Sequence, residues 1–157
     1  MELIRRFPPD LLSRALADWA WMPALSGKSP MVTSAFGDVF LTADDGVWFL
    51  DTLEGILTRE WDSPQSLQDV LNTQEGQDRF LMVGLAQTAF SEGRVPGDGE
   101  VLSFKTPPIL GGSLEPDNIE VSDLEVALSV AGQIHRQVKD VPPGTPVSGI
   151  TIDGHQP

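Results

Sequence analysis

Phe36-Gly37-Asp38-Val39-Phe40-Leu41, then Ala43-Asp44-Asp45-Gly46, then Val47-Trp48-Phe49-Leu50-Asp51 is the stretch that decides the fold. Its outer segments are rich in aromatic and β-branched residues, which suit a pleated, half-buried surface. The Asp-Gly between them supplies the positive φ that a tight hairpin wants. The spacing predicts a strand over 36–41, a turn over 43–46 and a returning strand over 47–51. A third strand is expected from Leu53 to Leu57 around Gly55, which makes an antiparallel meander within 31–58. Apolar and polar residues alternate imperfectly, so neither face need be fully wet.

Helical patterns flank this meander. Residues 8–21 carry Leu11, Leu12, Ala15, Leu16 and Trp19 on one face, with Asp10 as the expected N-cap and Pro23 as the stop. Ser26 to Pro30 reads as a loop. Ser63-Pro64 opens a second helix, Ser63 capping and Pro64 taking the first helical position. A third runs from about Gln74 to Ser91 with Phe80, Leu81, Leu85 and Phe90 inward, ended by Gly93 and Pro96. Glu100 to Phe104 and Ile119 to Val121 read as strands. Ser122-x-x-Glu125 has the form of a capping box into a fourth helix reaching about Lys139. The order is helix, strands, two helices, strand, helix. That is α+β: a small antiparallel sheet with about four helices packed on it, one compact domain over 1–147 and a loose tail over 148–157.

Composition narrows the chemistry. With 157 residues and a 40% hydrophobic content the chain can bury a core, so intrinsic disorder is excluded. There is no cysteine, hence no disulfide, no thiolate nucleophile and no thiolate zinc site. No apolar run approaches the roughly 20 residues that cross a bilayer. Met1 to Phe7 lacks the apolar core of a signal peptide, so a cytoplasmic location is expected. Twenty-three acidic against ten basic residues give a net charge of −13. Such a chain is repelled by phosphate backbones and anionic membranes, so direct nucleic-acid and membrane binding are not expected. The excess gathers mid-chain: Asp38, Asp44, Asp45, Asp51, Glu54, Glu60, Asp62, Asp69, Glu75 and Asp78 stand against Arg59 alone.

Catalytic patterns are weak. His135 is the one histidine within the folded region, and no Gly-x-Ser-x-Gly nucleophile turn accompanies it. It reads as a packed or capping histidine. Asp44-Asp45-Gly46 starts like a calcium loop but lacks the downstream ligands, and it reads as a turn. Ile109-Leu110-Gly111-Gly112-Ser113 lacks the lysine of a phosphate-binding loop. No catalytic residue, metal ligand or cofactor is assigned. Trp48 beside the acidic turn, and Trp61 between Glu60 and Asp62, have the form of aromatic anchors ringed by acids, as interfaces to basic partners use. Asp44, Asp45, Trp48, Asp51, Glu54, Trp61 and Asp62 are therefore the expected partner-binding residues.

Two stretches carry a resemblance. One is Phe36-Gly37-Asp38-Val39-Phe40 followed by Trp48-Phe49-Leu50-Asp51-Thr52-Leu53-Glu54-Gly55. The other is Lys105-Thr106-Pro107-Pro108-Ile109-Leu110-Gly111-Gly112, then Asp117-Asn118, Asp123-Leu124-Glu125-Val126 and Gly132-Gln133-Ile134-His135-Arg136-Gln137. Over 34–146 the chain resembles a bacterial family of GAD-like domains that includes immunity proteins of type VI secretion DNase effectors. The resemblance implies an antitoxin that binds a secreted protein toxin, a basic nuclease, and blocks it. Two alternatives stay open from the residues alone. One is a stand-alone cytosolic ligand- or protein-binding regulatory module with no toxin partner. The other is an enzyme using carboxylates alone, which would show as a deep pocket holding two acids with strongly raised pKa values.

Overall fold

Alternation along the central strands is imperfect because both of their faces are covered. The computed structural model describes residues 2–142 and 149–152. Strands β1 (Ile4–Arg5), β2 (Ser29–Ser34), β3 (Val39–Ala43), β4 (Gly46–Asp51) and β5 (Ile56–Trp61) form an antiparallel sheet in chain order. Strands β6 (Glu100–Phe104) and β7 (Ile119–Asp123) form a separate antiparallel pair. The helices are α1 (Pro9–Ala15), α2 (Pro64–Leu71), α3 (Gln74–Leu81), α4 (Val83–Ser91) and α5 (Leu124–Val138). The α+β class expected from the sequence is the one observed, with five α-helices among the described residues where about four were read. Among the described residues no helix is long and apolar enough to cross a membrane.

The register explains the layering. Val39 pairs with Leu50 and Leu41 with Trp48, and these side chains meet Leu12, Trp19, Leu124 and Leu128 beneath α1 and α5. Phe40 pairs with Phe49 on the opposite face, where Trp61, Leu67, Phe80 and Leu81 close the core with α2 and α3. A third cluster sets Leu102 and Ile119 of the β6–β7 pair against Ala86, Ala89 and Phe90 of α4, with Ala35 and Phe36 between. Each cluster is apolar area removed from water, at about 25 cal/mol per Å².

Several local expectations are corrected. Helix α1 begins at Pro9, whose fixed φ suits the first helical position, so Asp10 is not its cap. Asp10 instead pairs with Arg14 one turn on, at 3.2 Å. Residues 17–19 continue as a tighter 3-10 turn rather than as α-helix. Ser29 and Pro30, read as loop, belong to β2, which carries a bulge between Pro30 and Val32; β1 and β2 had no pattern of their own to announce them. The third strand starts at Ile56, because Thr52–Gly55 is the turn, with Gly55 at φ +71°.

The single helix expected over 74–91 is two. Met82 stands between them in the left-handed region (φ 47°, ψ 51°). Phe80 and Leu81 serve the sheet core while Ala86, Ala89 and Phe90 serve the β6–β7 core, so the axis must turn. Ser122 does not cap α5. It lies in β7, its hydroxyl 2.6 Å from that of Ser103, and Asp123 accepts the Val126 amide at 3.1 Å in its place. The Ser63 cap is as expected, accepting the Ser66 amide at 3.2 Å. Most of the tail over 148–157 lies outside the described residues. Thr151, which is described, exchanges backbone hydrogen bonds with the Gln137 side chain.

Candidate functional site

A cleft of about 260 Å³ opens between α5 and the β6–β7 pair. Helix α5 presents Val126, Ala127, Val130, Ala131 and Ile134 to it. Phe104, Pro107, Pro108 and Ile109 form the facing wall, and Phe36 to Asp38 with Thr52 and Leu53 close the far end. The lining is mostly apolar. Polar groups on it are the Ser103–Ser122 hydroxyl pair, Glu120, Lys105, Asp38 and His135.

The wall loop is held by one side chain. Asn118 accepts the Thr106 amide at 2.9 Å and donates to the carbonyls of Thr106 (2.8 Å) and Ser113 (2.9 Å). Gly112 is where this loop closes on itself: a Cβ there would collide with the Thr106 carbonyl group. The Gly111-Gly112 pair is thus turn chemistry.

Asp38 is 4% exposed. One carboxylate oxygen accepts the Thr52 amide at 2.9 Å and the Thr52 hydroxyl at 2.7 Å; the other accepts the Ser34 hydroxyl at 3.1 Å. Burial, and then the neighbouring Asp51 carboxylate, push its pKa from 3.8 up to about 6 in spite of these bonds. His135 holds the same turn from the helix side. Its Nε2 lies 2.9 Å from the Thr52 carbonyl oxygen, which fixes Nε2–H as the donor, and its ring lies tilted against that of Trp19, centroids 5.6 Å apart. Burial lowers its pKa below 6.5 against the pull of Asp51 and Glu54. Both titratable groups at the cleft end are therefore committed to the Thr52–Gly55 turn.

The partner-binding residues expected from the sequence fall at the two ends of strand β4, the β3–β4 turn at one and the β4–β5 turn at the other. Asp44 and Asp45 form the exposed tip, between the paired Ala43 and Gly46. Asp45 accepts the Trp48 indole N–H at 2.8 Å, and the Lys28 ammonium sits 3.9 Å above the Trp48 ring. Arg59 joins this end to Asp62, donating to the Asp45 carbonyl (2.6 Å) and to the Asp62 carboxylate (2.7 Å). Asp51 and Glu54 lie at the other end, a strand length of roughly 17 Å away at about 3.4 Å per residue. There Asp51 accepts the amides of Leu53 (2.9 Å) and Glu54 (3.0 Å). Trp61 belongs to neither end. It is 6% exposed, its ring 4.8 Å from Phe80 and 5.9 Å from Phe40, so it is committed to the core: β5 runs on past Leu57, where the strand was expected to end, to Trp61 and turns it inward.

Sequence reasoning did not find the cleft. Its residues come from separated segments, and the one local signal was Asp38, a carboxylate set among strand apolars.

Comparisons with known proteins follow from this geometry. Residues 62–135 match the family model described as "T6SS immunity protein Tdi1, C-terminal", where T6SS denotes type VI secretion. That segment supplies most of the cleft lining, and of the expected partner-binding residues it contains Asp62 alone. No curated protein matches the chain. Among solved structures the chain is similar in fold to the "Crystal structure of Atu4351 from Agrobacterium tumefaciens", with a TM-score of 0.59 and 18% identity over 83% of this chain. The matched region spans 66% of that structure's chain.

Proposed function

We propose that this protein is a type VI secretion immunity protein, which binds a secreted toxin, a DNase effector, through an acidic surface and blocks it. The observation that carries this reading is the family match over 62–135. The net charge of −13 is consistent with it. A nuclease must neutralise DNA phosphates and is therefore basic where DNA lies. Carboxylates of an inhibitor complement such a cleft, speed encounter and compete with the nucleic acid. Asp44, Asp45, Asp51 and Glu54 are the carboxylates we assign to that surface, with Asp62, paired to Arg59, beside them. Catalysis is not needed for it, and Asp38 and His135, the perturbed pair a reaction would use, are bonded to Thr52 instead.

The test is co-purification of the protein with the toxin encoded beside its gene, together with inhibition of that toxin's DNA cleavage. Binding that weakens as salt rises from 0.05 to 0.5 M supports the acidic surface. Absence of binding and of inhibition throughout the salt series overturns the reading.

A further inference from the structure

We propose that the cleft between α5 and the β6–β7 pair is the anchor site for the protein partner, taking an apolar side chain of a segment whose neighbouring residues are cationic. The proposal rests on the toxin-binding reading and says where and by what chemistry the partner is gripped.

Four features of the cleft point to this occupant. Its lips are apolar and in water: Ile109 on the loop is 40% exposed and Val126 on α5 is 44% exposed. Single exposed apolar residues are ordinary, but these two both line one concavity whose walls are mostly apolar. An anchor side chain seated in such a depression is how interfaces concentrate their binding energy.

The polar groups inside do not call for a polar ligand. The Asp38 oxygens are occupied by Ser34 and Thr52, and the Ser103 and Ser122 hydroxyls by each other. Among the described residues no buried side-chain polar atom lacks a partner. An apolar group can enter without orphaning any of them.

Charge selects what flanks the anchor. Glu120 lines the cleft; Asp51 and Glu54 do not line it but lie close enough to its end to act on His135, Asp51 itself lining a second hollow with Phe49 and Phe80. Among the described residues none of these three acids is in an ion pair with a lysine or arginine. Among the described residues Lys105 is the only lysine or arginine on the lining. The rim is net acidic, and its complement is basic.

The site is also preformed. Asn118 fixes the wall loop and the Asp38–Thr52–His135 contacts fix the end, so little ordering cost remains to be met on binding.

The experiment measures the affinity of the full chain for the toxin encoded beside its gene, by titration calorimetry at 0.15 M salt. The variant is Ile109→Arg with Val126→Arg, and the control is Val95→Arg, an apolar residue 43% exposed and off the cleft. The milder Ile109→Ser with Val126→Ser keeps the test valid if the arginine pair perturbs folding. The expected result is a dissociation constant raised about tenfold or more by either cleft pair and changed less than about twofold by the control. Wild type that binds, with cleft pairs that bind equally well, overturns the anchor site while the immunity reading stands. Wild type that neither binds nor inhibits the toxin overturns both. A small molecule retained by the native protein in mass spectrometry, and lost in the cleft variants, also overturns the proposal, because the cleft is then a ligand site.

Discussion

Asp38 and Thr52, fourteen residues apart, are joined twice through one carboxylate oxygen, which accepts the Thr52 amide at 2.9 Å and its hydroxyl at 2.7 Å. The bond pair ties the β2–β3 turn to the β4–β5 turn across the end of the sheet. It also places a carboxyl where water is excluded, so the tie carries a dependence on pH.

The folded-state pKa of Asp38 lies above its unfolded value, about 6 against 3.8. The folded form thus holds the proton more tightly. The stability this contributes is fully present below about pH 4 and is lost as pH rises through 6, a difference of about 3 kcal/mol. Asp38→Asn keeps an acceptor for Thr52 but cannot ionise. It is expected to flatten stability against pH between 4 and 6, and to be at least as stable as wild type at pH 7. Urea denaturation across that range checks it, and an unchanged slope would contradict the burial argument.

His135 runs the other way. Its pKa is lowered by burial, so protonation favours the unfolded chain, and stability present above pH 6.5 is lost as pH falls. His135→Gln retains a donor for the Thr52 carbonyl while removing the titration. The same denaturation series should show less loss on the acid side of 6.5 than wild type.

Gly55 faces the His135 ring. A Cβ there would stand 2.7 Å from the imidazole Cγ, and φ is +71°. Gly55→Ala adds left-handed strain to a steric collision, and a loss of about 2–4 kcal/mol is expected. A thermal melt within a degree or two of wild type would show that the turn can move off the ring.

Trp61 and Trp48 separate core from surface. Trp61→Ala removes a ring at the centre of the Phe40–Phe49–Phe80 cluster and is expected to cost about 3–5 kcal/mol. Trp48→Ala removes a half-buried ring whose contacts include the half-buried Lys28 and the exposed Asp45, and should cost markedly less. Equal midpoints in guanidinium for the two variants would refute the assignment.

At the β3–β4 turn, Asp44→Lys with Asp45→Lys reverses exposed charge and gives up one hydrogen bond, from the Trp48 indole to Asp45. Electrostatic steering then predicts slower association with a basic toxin, by about tenfold at low salt and by little at 0.5 M. Stopped-flow association kinetics at the two salt concentrations measure it. A rate that is unaffected at low salt would place the acidic contact elsewhere on the protein.

Much of the architecture was legible because local rules and tertiary packing agreed. The hairpin read over 36–51 (its first strand begins at Val39), the Ser63 cap, β6 and the C-terminal helix follow from Asp-Gly turn chemistry, Ser-Pro capping and 3.6-residue periodicity. The reading failed where packing overrode the local signal. Met82 carries no helix-breaking chemistry, yet the chain turns there because the residues on its two sides serve different cores. Ser122 fits a capping box, but strand pairing with Ser103 outcompetes it and the cap passes to Asp123. Trp61 sits in an acidic stretch that reads as surface, and one face of β5 takes it inside.

By itself the sequence determined the α+β class, the absence of thiol chemistry and the acidic character, because composition and short-range periodicity are properties of neighbouring residues. Only the tertiary structure decided that the acids part to opposite ends of strand β4, that Asp38 and His135 share Thr52, and that α5 and the β6–β7 pair leave a cleft between them. Those are relations between residues distant in the chain. They are set by which apolar faces find each other, a choice that no local pattern encodes.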